Sequence, residues 1–231
     1  ITTNWSVYLC SVLEKISCSY TIVNSLSLVS KVEFLNLSDD EFLVTADVSS
    51  LYTMMSLGRL FSSLRTKNVS DFDIAVADFV CNSNYFRYGS MIYKQVDGIA
   101  MGCNAAVHFA NIYLDEFDHK FAPVCKFYCR YIDDLFFVWK GSEYLLQSLF
   151  NRMNAFIPGI KLNFSFSKST VDFLDLCIFR HRDQLLFRTF QKPFNIYQYL
   201  PPFTFHNPAC ISGFIKGELI RFVRSNSLPI D

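Results

Sequence analysis

Two adjacent carboxylates, Asp133-Asp134, sit between the apolar runs Phe127-Tyr128 and Leu135-Phe136-Phe137-Val138-Trp139. Few folds accommodate that arrangement, because like charges crowded between two strands are unfavourable unless a cation neutralises them. The ordinary home of an Asp-Asp pair is a solvated turn. Here the pair lacks the glycine that favours a tight hairpin, and its flanks are too apolar for an exposed loop. The spacing therefore predicts a hairpin, strands near 124–132 and 135–139, whose tip offers both acids to a divalent metal.

The chain has 231 residues, 51% of them apolar and 25 of them Phe. This excludes disorder and predicts one principal domain with appendages. No apolar run reaches the roughly 18 residues of a spanning helix, and Ile1-Thr2-Thr3-Asn4 lacks the zones of a signal peptide. No membrane partner is expected. Lys plus Arg equals Asp plus Glu at 21 each, so bulk charge does not announce a nucleic-acid partner. The eight cysteines lack paired CxxC spacing and read as reduced core thiols, not a zinc site.

Along the chain, helices are expected near 5–17 and 29–36. The buried strand Phe42–Val48 follows, carrying Asp47 at its end. Helices are expected at 56–66 and 70–82, the second capped by Ser70 with Asp71 and Asp73 in its first turn. Tyr85–Tyr88 and Met91–Gln95 flank Gly89-Ser90, a two-residue hairpin signal. Gly98 and Gly102 then bracket Ile99-Ala100-Met101, where missing side chains permit close approach by a ligand. An amphipathic helix carries Ala106, Phe109, Ala110, Tyr113 and Phe117 on one stripe. After the central hairpin come a helix to about 155, strands near 162–167, 172–180 and 184–190, prolines at 193, 201, 202 and 208, and a basic helix with Arg221 and Arg224.

An antiparallel sheet with helices on one face would bring Asp47 beside Asp133-Asp134. Three converging carboxylates suit two Mg2+ ions that activate a hydroxyl and stabilise an in-line displacement. Hard oxygen donors favour Mg2+, with Mn2+ as a substitute. The chemistry this points to is phosphoryl or nucleotidyl transfer.

In these residues the chain resembles the reverse transcriptases of Penelope-like retroelements. Asp47-Val48-Ser49-Ser50-Leu51-Tyr52-Thr53 is similar to that branch's first motif. Gln95-x-x-Gly98-x-Ala100-Met101-Gly102 with Ala110-Asn111 resembles the second, and Arg130-Tyr131-Ile132-Asp133-Asp134 the third. Phe173-Leu174-Asp175-Leu176 resembles a later strand, and Lys192-Pro193, Tyr199-Leu200 and His206-x-Pro208 resemble the tail. The resemblance implies an α+β palm, an antiparallel sheet with helices on one face, and a partial thumb at the C-terminus.

It further implies Asp47, Asp133 and Asp134 as metal ligands, with the Val48 carbonyl as an extra one. Ser50 and Leu51 amides would hold the triphosphate, and Tyr52 would be a steric gate against a ribose 2′-hydroxyl. Gln95, Gly98 and Gly102 would face template and nascent pair, and Lys168 would protonate the leaving pyrophosphate. The implied partners are an RNA template with a DNA primer and deoxynucleoside triphosphates, and the implied site of action is the nucleus. Without the family's fingers and GIY-YIG endonuclease, the 231 residues are expected to be an N-terminal helical remnant (1–40), a palm (41–190) and the start of a thumb (191–231). They would be either an RNA-directed DNA polymerase or an inactive truncated remnant of one.

Overall fold

A computed structural model describes residues 2–192, 201 and 203–227. Pro193, Tyr199, Leu200 and Pro202, parts of the expected C-terminal pattern, lie outside the described residues. Two helices lead, α1 (Thr2–Leu13) and α2 (Ser25–Val32). Strand β1 (Glu41–Val48) follows, then α3 (Leu51–Met54), α4 (Leu57–Thr66) and α5 (Asp71–Asn82). The ribbon β2 (Tyr85–Tyr88) and β3 (Met91–Lys94) precedes α6 (Ala106–Phe121). The hairpin β4 (Phe127–Tyr131) and β5 (Asp134–Lys140) leads into α7 (Glu143–Phe156). Strands β6 (Leu162–Ser167), β7 (Thr170–Phe173), β8 (Leu176–His181) and β9 (Gln184–Thr189) precede α8 (Pro208–Ser225).

Helix starts follow local capping. The Ser70 hydroxyl accepts from Asp73 N at the head of α5, Ser142 accepts from Leu145 N at the head of α7, and Asn207 caps α8 with Pro208 in its first turn. Helix α2 begins earlier than the apolar pattern predicts because Asn24 accepts from Ser27 N. Helix α1 is likewise displaced toward the N-terminus of its expected span.

The central sheet has the order β4-β5-β1-β6, antiparallel throughout. Its middle strand β1 is buried along nearly its whole length, as a strand covered on both faces must be. Alternation sends Val44, Ala46 and Val48 to one core, where α1, α4, α5, α6 and α7 pack. Leu43, Phe136 and Val138 point to the other, covered by α2 and the three-stranded sheet β7-β8-β9.

One expectation needs correction. The apolar run predicted as a single strand over 172–180 is a hairpin, folded at Leu174-Asp175 with Leu174 at φ 55°. Period-two alternation across Phe173-Leu174-Asp175-Leu176 hides the turn, since no glycine marks it.

Candidate active site

In the antiparallel register Asp47 lies directly opposite Asp134, so the two carboxylates leave the same face of the sheet. Asp133 occupies the two-residue tip between Tyr131 and Asp134. Val48 N donates to Asp133 O at 3.0 Å, which ties the end of β1 to the tip. Asp47 is exposed, while Asp133 and Asp134 are half-buried.

Burial, then Asp133 and Asp47, push the Asp134 carboxyl up to about 6. Asp133 is raised by burial and by Asp47, against the opposing pull of its own backbone hydrogen bond and Arg130. Both acids thus sit in a field short of positive charge. As they stand, no three carboxylate, imidazole or thiol side chains among the described residues close on a common point. The donor set is nonetheless all hard oxygen and fits Mg2+ or Mn2+.

The tip is held from behind by a buried cation. Arg130 is wholly buried on β4 and bonds the Asp118 carboxylate of α6 through Nε and Nη2, at 2.6 to 3.0 Å. Its Nη1 donates to Asn111 Oδ1 at 3.0 Å and to Ile132 O at 2.7 Å. Tyr128 Oη donates to the same Asp118 at 2.7 Å. The network fixes the backbone beside Asp133, where Ile132 holds a left-handed φ of 55° that β-branched residues rarely adopt. The role of Arg130 escaped the sequence reading. A lone basic residue in an apolar strand was the available signal.

Around the acids, a cleft of about 370 Å³ is lined by Asp47, Asp134, Asn163, Ser165, Asp172 and Phe173. Asp172 thus borders the site. Ser50 takes φ 53° and opens α3 without a side-chain cap. Ser50 and Leu51 stand at the start of α3, where helix geometry leaves amides without an intrahelical acceptor. The side chain of Leu51 is buried, and Tyr52 is half-exposed. Burial raises the Tyr52 hydroxyl pKa, and Asp133 and Tyr131 add to the shift.

Gly98 (φ +73°) approaches the chain itself: a Cβ there would meet Tyr52 O and Thr53 O at 2.7 Å. Ile99 N donates to Tyr52 O at 2.6 Å, so the glycine turn is docked on α3. Gln95 folds back, its Nε2 donating to Asp97 O at 2.9 Å, whereas Gly102 stays exposed with open space around it.

Lys168 is not brought to the acids. Ser167 pairs with Leu43, and Lys168 Nζ lies 5.0 Å from the Phe42 ring centroid. Phe42 is five residues from Asp47, about 16 Å along the strand, beyond a lysine's reach. The Lys161 carbonyl accepts from Ser49 N at 2.8 Å, joining the end of β1 to the start of β6.

A family profile described as reverse transcriptase (RNA-dependent DNA polymerase) matches residues 12–187. The chain belongs to the reverse transcriptase family. No curated protein matches this reverse transcriptase chain. Among solved structures, it is similar to telomerase from Candida tropicalis in complex with a TWJ fragment of telomeric RNA. That TM-score is 0.60 at 12% identity, covering 97% of this chain and 42% of that one. The Candida albicans telomerase with such a fragment gives 0.57 at 13%, covering 80% and 38%. A BmCPV RNA-dependent RNA polymerase at elongation state gives 0.53 at 12%, covering 77% and 19%. The shared feature is the palm fold. This reverse transcriptase chain spans less than half the length of those telomerases.

Proposed function

We propose that this chain is the catalytic palm of an RNA-directed DNA polymerase from a Penelope-like retrotransposon, acting in the nucleus. It would extend a DNA primer on an RNA template, one deoxynucleotide at a time. The observation that carries the reading is the pairing of Asp47 with Asp134 beside the Asp133 tip.

Asp47, Asp133 and Asp134, with the Val48 carbonyl, would hold two Mg2+ ions, and Mn2+ could replace them. Bound there, the ions supply charge stabilisation for an in-line displacement. The chain's own residues do the positioning. The Ser50 and Leu51 amides, at the start of α3, would receive phosphate oxygens, as donors at a helix start do. Tyr52, clamped through its carbonyl by Ile99, excludes a ribose 2′-hydroxyl. Residues 1–40 and 191–231 are proposed as the connection to fingers and the start of a thumb.

Primer extension on an RNA template tests the proposal, with this chain and with one lengthened at its N-terminus. Extension that depends on Mg2+ or Mn2+ is expected, and Asp133→Asn should lower it on the order of 10³-fold, the weight of several kcal/mol of charge stabilisation. Extension insensitive to Asp133→Asn would overturn the assigned site. Failure of both wild-type proteins would favour the inactive remnant.

A further inference from the structure

The ribbon β2–β3 is exposed along its whole length. Its register places Phe86 opposite Tyr93 and Tyr88 opposite Met91 on one face, and Tyr85 opposite Lys94 and Arg87 opposite Ile92 on the other. The first face is aromatic, with Phe86 and Tyr93 stacked at 5.6 Å and 20° and Tyr88 77% exposed beside them. On the second face two cations alternate with Tyr85 and Ile92, and the ribbon holds no acid. Large apolar side chains on a two-stranded ribbon are unfavourable in water unless a partner covers them.

The partner's chemistry follows from the two faces. Unpaired nucleic acid needs flat apolar platforms for its bases and positive charge for its phosphates, and both are here within four residue pairs. Position supports the same occupant. Gln95 N donates to Asn84 O at 2.9 Å and closes the ribbon's base. Tyr85 and Phe86 then wall a cavity of about 680 Å³ with Thr53, Gln95, Met101 and Gly102, a size that suits a nucleotide. The cavity runs from the ribbon to the neighbour of Tyr52.

We infer that the β2–β3 ribbon and this cavity bind unpaired nucleic acid, with Phe86 and Tyr93 as the base-stacking platform and Arg87 and Lys94 on the phosphates. That the strand is a template entering the site rests on the polymerase reading. That it is single-stranded does not.

Fluorescence anisotropy with a labelled single-stranded RNA oligomer and its duplex tests the inference on the full chain. Phe86→Ala with Tyr93→Ala should weaken single-strand binding about 10- to 100-fold and leave duplex binding unchanged. Arg87→Ala with Lys94→Ala should reduce the slope of log affinity against log salt by about 1.4. Asp133→Asn should bind like the wild type while failing to extend a primer, so the surface and the catalytic reading can fail separately. Unchanged denaturation midpoints would show that the ribbon variants fold. Wild-type affinity in the aromatic variant, equal loss for duplex, or no RNA binding by the wild type would overturn the inference. So would a self-association abolished by the same substitutions, which would make the ribbon an interface between copies.

Discussion

Two of the molecule's antiparallel hairpins, β2–β3 and β4–β5, close on two-residue tips built on opposite principles. In β2–β3 the left-handed tip position belongs to Gly89, at φ 62°, where the missing Cβ makes that conformation free of strain. In β4–β5 the same place is held by Ile132 at φ 55°, a strain on the order of 1–2 kcal/mol. The strained hairpin lies inside a sheet and is braced by the buried Arg130, whose Nη1 holds Ile132 O at 2.7 Å. The unstrained one stands in solvent, and its tip carbonyl, Gly89 O, accepts from the exposed Arg87 Nε at 2.9 Å. A recognition ribbon can rely on turn chemistry and an exposed arginine, whereas the tip that carries the carboxylates is backed by a buried ion pair.

Breaking the brace should have the largest effect. Arg130→Ala leaves Asp118 buried and unpaired, and denaturant unfolding should show a loss of about 3–5 kcal/mol. A loss under about 1 kcal/mol would mean that the tip does not depend on it. Gly98→Ala comes next, at about 2 kcal/mol, since it combines a left-handed φ with contacts at 2.7 Å. The same variant should lower the preference for deoxy- over ribonucleotides by displacing Tyr52. Unaltered selectivity in a folded Gly98→Ala protein would uncouple the glycine turn from α3.

A pH titration sharpens the contrast further. The folded Asp134 carboxyl ionises at about 6 against an ordinary 3.8, so the folded chain retains a proton that the unfolded chain has released. Its contribution to stability is therefore intact below about pH 4, falls as pH rises toward 6, and stays low above. Half-exposure of the group keeps the effect modest. Thermal midpoints of wild type and Asp134→Asn, compared at pH 4.5 and 7 without divalent ions, should diverge in that sense, and added Mg2+ should restore the wild type at pH 7. The smallest effect belongs to the ribbon: Phe86→Ser should change stability by no more than about 0.5 kcal/mol, and a larger loss would mean that the ribbon packs on something.

Much of this was legible in the chain. Gly89-Ser90 announced β2–β3 and Ser70 announced α5, because caps and glycine turns are decided within four residues. The Leu174-Asp175 turn was not, since a single Asp without Gly or Pro is a weak turn signal and pairing with β9 and the second core forces the fold-back. Within the site, the aspartates stood out by charge in apolar surroundings. The bracing of Ile132 by Arg130 did not, because it depends on Asp118 and Asn111 from α6.

By itself the sequence determined which residues could carry chemistry, through spacing and polarity, and the family to which the chain belongs. Only the tertiary structure decided which of them meet. The packing of the strands brings Asp172 toward the acids, sends Lys168 to the far end of β1, and turns Gly98 against Tyr52. A two-residue period fixes the face a side chain takes, but register and strand order come from burying both faces of β1 at once, a condition that no local stretch contains.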